Sequence, residues 1–294
     1  MQSFDYYEVK TLREAVEILS SGEEIRVLAG GCGILLLMKQ KVYFPQALVN
    51  IKKIPGLNHI RSENGEVRIG TLSTLNEVKT SYIIQEKIPI LSEALEYVAT
   101  DRIRNMATMG GTLAHADPNS DVAPALLALE AKVKVLGRDG EKEIPLDSFF
   151  QNYYETILQS TDVIKEIILP APSSGIQGTY ARFQVRKAMD KPMPGVAVLV
   201  GLEEDGKTIR LARIALSGVG NTPIRLKEAE EFLKGKEDHP EAQEKMASMV
   251  KEKIDPVTEY HYSVEYKREM AGIFIKRAFA EAYRRTISLG RKRS

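Results

Sequence analysis

The stretch IRVLAGGCGILLLMKQK, residues 25–41, limits the architecture more than any other part of the chain. A short apolar run with the character of a buried strand meets a glycine-rich turn, and an apolar helix begins at once. ALVNI, residues 47–51, is the next strand. Parallel neighbours cannot be joined by a tight hairpin, so strand, helix and strand in this order predict a crossover unit. Residues 1 to about 55 are therefore expected to form a small βαβ unit. TLREAVEILSSG adds a helix before it, opened by a capping box of Thr11 and Glu14 and closed at Gly22.

Farther along, EVRIGTLSTL alternates as a strand does, IPILSEALEYVA has helical spacing, KVKVLGRDGEKEIPL predicts a hairpin about Asp139-Gly140, and DVIKEIILP is a further strand. Among them lies a second paired-glycine segment, TMGGTLAHADPNSD, residues 108–121. It is expected as a loop entering the helix DVAPALLALEAK, with Asp121 as N-cap and Pro124 in the first turn. PAPSSGIQG, residues 170–178, has linker composition, which puts a boundary near residue 172. Two long strands about Asp205-Gly206 follow, then helical segments such as RLKEAEEFLKG and EYKREMAGIFIKRAFAEAYRR, the order expected of an α+β domain.

Paired glycines let a backbone take left-handed angles and approach a ligand closely, so that successive amides can converge on anionic oxygens. A Gly-Gly pair is also an ordinary turn, and neither segment fits GxGxxG or the phosphate loop ending in GKS/T, so spacing leaves both readings open. The catalytic inventory is thin. His115 has no second ligand at metal spacing and is expected as a hydrogen-bonded loop residue, Cys32 as a small filler, and Asp117 as a turn residue with Pro118. One cysteine excludes a disulfide framework or an iron–sulfur cluster held by this chain alone. With 41 basic and 40 acidic side chains there is no excess charge to attract nucleic acid, and no apolar run is long enough for a membrane span. The expected setting is cytoplasmic, and a chain with binding loops but few acids and bases suggests that a cofactor carries the reaction.

VLAGGCGILLLMKQ, LVNIKKIPGLNHI, VRIGTLSTLNEV and DRIRNMATMGGTLAHADPNSDVAPALLALEAKVKV occur in the order that resembles the FAD-binding medium subunit of the molybdenum hydroxylases, the xanthine dehydrogenase and carbon monoxide dehydrogenase group. RKAMDKPMPGVAVLV with ARIALSGVGNTPIRLKEAE is similar to the C-terminal domain of the same flavoproteins. The resemblance covers nearly the whole chain. It implies an α+β protein: a two-subdomain FAD-binding fold over residues 1–172, then an α+β C-terminal domain over 178–288 with an antiparallel sheet and helices. The two subdomains, about 1–55 and 56–172, would be the small βαβ unit and a larger mixed sheet with helices.

The same resemblance implies FAD with its diphosphate on two glycine loops, Ala29, Gly30, Gly31, Cys32 and Gly33 forming the first and Thr108, Gly110, Gly111 and Thr112 the second. Ser120 and Asp121 match cofactor-bonding positions, Leu72, Ala99 and Ala114 match positions near the flavin, and Arg182 matches a basic residue beside the flavin ring. Relatives commonly have a polar side chain at Cys32 and Gly33, asparagine or aspartate at Thr112, and in some cases an aromatic ring at Lys191. No catalytic and no metal-binding residue is assigned. The implied function is electron transfer: an iron–sulfur small subunit with [2Fe-2S] clusters and a molybdopterin large subunit as partners, and a soluble electron acceptor such as NAD. Two other readings are a self-contained FAD-dependent reductase of the cell-wall precursor type and an assembly protein that has lost the flavin.

Overall fold

A computed structural model describes residues 3–184, 191–258 and 262–291. Residues 186–190 of the RKAMDKPMPG motif and 292–294 of the basic tail lie outside the described residues. The first unit comprises β1 (Asp5–Glu8), α1 (Leu12–Leu19), β2 (Ile25–Leu28), α2 (Ile34–Lys39) and β3 (Ala47–Asn50). β3 lies between β1 and β2 and runs parallel to both, so β2, α2 and β3 form the expected crossover. All four residues of β3 are buried because each face has its own cover: Ala15, Val16 and Leu19 of α1 pack with Ala47 and Val49, and Met38 of α2 packs with Leu28 and Leu48. The start of α1 differs in detail from a capping box. Thr11 Oγ1 accepts the Glu14 amide at 3.1 Å, but the Glu14 carboxylate takes the Lys10 amide rather than that of Thr11. The helix stops at Leu19, before Gly22, where the Ser20 and Ser21 hydroxyls donate to the carbonyls of Val16 and Ile18.

The middle unit begins with β4 (Ile60–Glu63) and β5 (Glu66–Gly70). It continues through six short helices, α3 (Leu75–Thr80), α4 (Tyr82–Lys87), α5 (Pro89–Glu96), α6 (Asp101–Arg104), α7 (Met109–His115) and α8 (Val122–Ala128). The hairpin β6 (Lys132–Gly137) and β7 (Gly140–Pro145), a two-stranded ribbon of β8 (Phe150–Asn152) and β9 (Glu155–Thr156), and β10 (Val163–Pro170) complete it. Its large sheet has the order β4-β5-β10-β6-β7. Expected as mixed, this sheet pairs antiparallel at every step. The strand over EVRIGTLSTL ends at Gly70, because Thr74 and Glu77 form a complete capping box that starts α3.

The expected linker is shorter than its composition suggests. Pro170 still belongs to β10 and Ile176 already begins β11 (Ile176–Arg182). β12 (Gly195–Leu202), β13 (Ile209–Ser217) and β14 (Ile224–Arg225) extend an antiparallel sheet in the order β11-β12-β13-β14. α9 (Lys227–Leu233), α10 (Pro240–Lys253) and α11 (Val264–Arg291) follow. The period of two along β12 explains its uninterrupted apolar sequence. Val196, Val198 and Val200 join the core beneath the C-terminal helices, whereas Ala197 and Leu199 join the core of the middle unit with residues of α5 and α8. This sheet is covered on both faces, once by each unit.

Candidate functional site: two glycine segments in contact

The first glycine loop leaves β2 and turns through Gly31, whose φ of +80° is a left-handed value suited to glycine. It is pressed against the approach to the second. A Cβ on Gly30 would lie 2.1 Å from the Met106 carbonyl oxygen, and one on Gly33 would meet the His115 ring at 3.3 Å. The tertiary structure thus joins two segments about eighty positions apart in sequence. Among the described residues no acceptor takes the amides of Gly31, Gly33 and Ile34, while the carbonyls of Gly31 and Gly33 already receive the amides of Leu35 and Leu37. Donors without acceptors beside half-buried glycines suit an anion such as a diphosphate. Lys52, from LVNIKKIPGL, lies close enough to Cys32 to oppose the upward push that burial gives the thiol. It was not recognisable as a neighbour of the loop from sequence.

The second segment is a correction to the expected loop. Residues 109–115 form α7, with Thr108 as N-cap accepting the Gly111 amide at 3.2 Å. Residues 71–75 run alongside in the antiparallel sense and take up the helix entry. Met109 N donates to Ser73 O at 2.9 Å and Gly110 N to Thr71 O at 3.0 Å, and Leu75 N donates to Ala107 O at 2.9 Å. The amides of Met109, Gly110, Gly111 and Thr112 are therefore all engaged within the chain. The two glycines also differ in purpose. A Cβ on Gly110 would collide with Thr71 Oγ1 at 1.7 Å, whereas one on Gly111 would meet only its own capping hydroxyl at 2.9 Å. Gly111 and Ala114, three positions apart on one helical face, are exposed, and Thr112 is half-buried. The first segment offers free amides, and the second offers an open, small-residue surface.

Asp121 stands at the N-cap position of α8, as its sequence position predicts, but its side chain does not cap the helix. It makes no side-chain cap bond; Ser120 Oγ accepts the Ala123 amide at 3.2 Å instead. Both Asp121 oxygens face the C-terminal sheet. Tyr180 Oη donates to one at 2.6 Å, and Arg182 Nη1 donates to both at 3.0 and 2.9 Å. Burial pushes the Asp121 carboxyl up, with the Arg182 charge and the Tyr180 hydrogen bond opposing it. Arg182 also lies over the Tyr97 ring, 5.1 Å from its centroid. Asp121 and Arg182 thus come together as a buried clamp between units, close to the turn that holds Ala99. Ala99 is exposed at a left-handed φ of +46°, and its carbonyl is fixed by buried Arg104, whose Nη1 donates to Val98 O at 2.6 Å and Ala99 O at 3.1 Å. Leu72 packs into the core of the first unit, and Ala29 lies against that core.

A polar seam borders the first loop. The His115 ring lies 5.1 Å from that of Tyr154, Lys191 Nζ donates to Asp117 Oδ2 at 3.0 Å and to Tyr154 Oη at 3.3 Å, and Asp117 Oδ1 accepts the Asn119 amide. His115 therefore closes a helix and buttresses Gly33; it is not a loop residue. Burial pushes its imidazole down, with Asp117 opposing. Sequence reasoning missed Thr71, Arg104 and Tyr154. The one signal for any of them was Tyr154 in the aromatic pair of NYYET: the partners of Thr71 and Tyr154 lie tens of residues away, and Arg104, whose partners Val98, Ala99 and Asp101 are local, holds carbonyls of an irregular turn that has no sequence pattern.

Comparison with known proteins covers both parts of the chain. Residues 2–172 match the model of the FAD binding domain in molybdopterin dehydrogenase, and residues 179–282 match the CO dehydrogenase flavoprotein C-terminal domain. The chain is 34% identical over 283 residues to the carbon monoxide dehydrogenase medium chain of Hydrogenophaga pseudoflava, covering 96% of this chain and 98% of that one. It is 33% identical to subunit alpha of the 6-hydroxypseudooxynicotine dehydrogenase complex of Paenarthrobacter nicotinovorans, with 96% and 95% covered. A solved structure of Hydrogenophaga pseudoflava carbon monoxide dehydrogenase lacking the Mo-pyranopterin moiety superposes with a TM-score of 0.93 at 34% identity, over 97% of this chain and 98% of that one. With both units matched in order and the fold shared end to end, this chain belongs to the family of FAD-binding flavoprotein medium subunits of molybdopterin-dependent oxidoreductases.

Proposed function

We propose that this subunit holds FAD with its diphosphate on the amides of Gly31, Gly33 and Ile34, takes electrons from [2Fe-2S] clusters of a small partner subunit, and passes them to a soluble acceptor such as NAD. A large partner subunit carrying molybdopterin transforms the substrate. The observation that carries the reading is the pair of complementary surfaces: amides without acceptors on one glycine segment, and the open face of Gly111 and Ala114 on the segment pressed against it. FAD, when bound, supplies the exchange between one-electron and two-electron chemistry.

The residues of this chain bind and position. Gly30 and Gly110 allow backbones to meet, Thr112 and Ser120 offer hydroxyls that can still donate, and Cys32 replaces a polar side chain where backbone donation suffices. Asp121 and Arg182 hold the C-terminal sheet against the cofactor-bearing units and act on FAD through position. The single cysteine cannot hold a cluster by itself, which supports placing the one-electron relay on a partner. Absorbance spectra and metal analysis of the complex purified under mild conditions test this. The expected result is flavin on this chain, with iron, sulfide and molybdenum on co-purifying subunits. A colourless chain that takes up no added FAD, or a complex without iron, would refute it.

A further inference from the structure

We propose a second binding site, for a small organic anion with an apolar body, in the cleft between the middle unit and the C-terminal sheet, at the opposite end of α8 from Asp121. The cleft has a volume of about 590 Å³, within the range of small-molecule sites. Its floor is apolar, contributed by Leu127 and Leu146 from one unit and Leu211 from the other. Its wall is charged and net basic, with six basic side chains against four carboxylates.

The wall is organised by one unusual residue. α8 closes with the Ala131 amide on Leu126 O and the Glu130 amide on Leu127 O, each at 3.0 Å, which places residue 130 at the left-handed position normally given to glycine. Glu130 has φ +54° there. An acidic side chain in a glycine position is explained by what its carboxylate does: one oxygen holds Arg225 Nη1 at 2.8 Å and the other holds Arg213 Nη2. Arg225 is fixed on its other edge by Glu230, at 2.8 Å from both Nε and Nη2. The two guanidiniums are thus oriented before any ligand arrives. Arg210 adds a third, which has no carboxylate partner among the described residues and only a 3.4 Å bond from Nε to Leu202 O. At the mouth, Lys234 lies 3.9 Å from Glu231.

Six basic side chains set against four carboxylates leave a net positive charge beside an apolar floor; Lys227 holds Asp147, and Arg210 is the arginine of the three without a carboxylate partner among the described residues. Guanidiniums arranged in this way suit a carboxylate or phosphate, and the floor suits a short hydrocarbon attached to it. Because both units line the cleft, an occupant would favour their docked arrangement. This inference is independent of the flavin assignment, since α8 separates the two sites.

Calorimetric titration of the full chain with hexanoate, hexyl phosphate and inorganic phosphate tests it. Both hexyl probes should saturate a single site, the tighter of them identifying the preferred anionic group, and inorganic phosphate should bind at least tenfold more weakly. The double variant Arg210→Ser with Lys234→Ser changes exposed side chains. It should weaken the hexyl probes at least tenfold while flavin content and Tm, read on the same samples, stay as in the parent. Absence of saturation by both hexyl probes, equal affinity for inorganic phosphate, or unchanged affinity in the double variant would overturn the proposal. Flavin loss in the parent chain would bear only on the first site.

Discussion

Gly110 and Gly111 are adjacent and chemically identical, yet their neighbours demand different things of them. Gly110→Ala drives a Cβ into Thr71, and overpacking of this kind costs about 1–3 kcal/mol, so urea denaturation should show a clear loss of stability. Gly111→Val meets only the Thr108 hydroxyl, so it should lose no more than about the 1 kcal/mol of that cap, but its branched side chain fills the open face and should abolish FAD retention. Full flavin content in Gly111→Val would remove that face from the site. Asp121 and Ser120 make a second pair of this kind. Asp121→Ala removes one side of the buried ion pair with Arg182 together with the acceptor of the Tyr180 hydroxyl, a loss of about 3–5 kcal/mol, whereas Ser120→Ala removes one cap bond and costs roughly 1 kcal/mol. Equal, small losses in the two variants would return the capping role to Asp121.

β10 is bound to β5 by more than its ladder. Glu166, buried on its outer face, accepts from His59 Nε2 at 2.9 Å, Arg61 Nη2 at 2.9 Å and Arg68 Nη1 at 2.7 Å. Burial works against its charge, but hydrogen bonds from His59 and Arg68 and the charges of Arg68 and Arg61 prevail and hold the carboxyl below its ordinary value. A depressed acid stabilises the fold fully above its unfolded pKa and loses that contribution as pH falls through the lower folded value. Between about pH 6 and about pH 3, unfolding free energy should therefore fall more steeply in the parent than in Glu166→Gln. Parallel slopes would mean that Glu166 contributes nothing through its charge. α7 shows the converse limit of reading elements from sequence. Two glycines and a following Asp-Pro argue for a loop, but the strand-like segment 71–75 takes the amides at the entry and makes a helix of it.

The whole molecule depends on a sheet that neither flanking unit could leave uncovered. One face of β12 and β13 belongs to the core under α9 to α11, and the other, with Tyr180, Ala197, Leu199 and Ala215, belongs to the middle unit. Expressed alone, residues 174–291 should expose that second face, bind a hydrophobic dye and associate. A soluble, dye-silent monomer would show that the C-terminal part is self-sufficient. Glu93 adds a polar fastening on the same boundary. It accepts the Tyr180 amide at 3.1 Å and pairs with Arg285, which also donates to Gly178 O at 2.9 Å, so α5, β11 and α11 meet at one carboxylate.

Local periodicity determined a great deal. The β2-α2-β3 crossover, the β6-β7 hairpin, the β12-β13 pair and the apolar runs destined for two-sided burial are all legible because each depends on residues within a few positions of one another. Tertiary structure alone decided that Gly30 lies against Met106, that Thr71 fills the space beside Gly110, that Asp121 turns from its helix toward Arg182, and that Glu130 gathers Arg213 and Arg225. The physical reason is distance along the chain. A steric requirement or a counter-charge supplied from tens of residues away leaves no periodic trace, and only packing shows which glycine makes room for a neighbouring segment and which for a ligand.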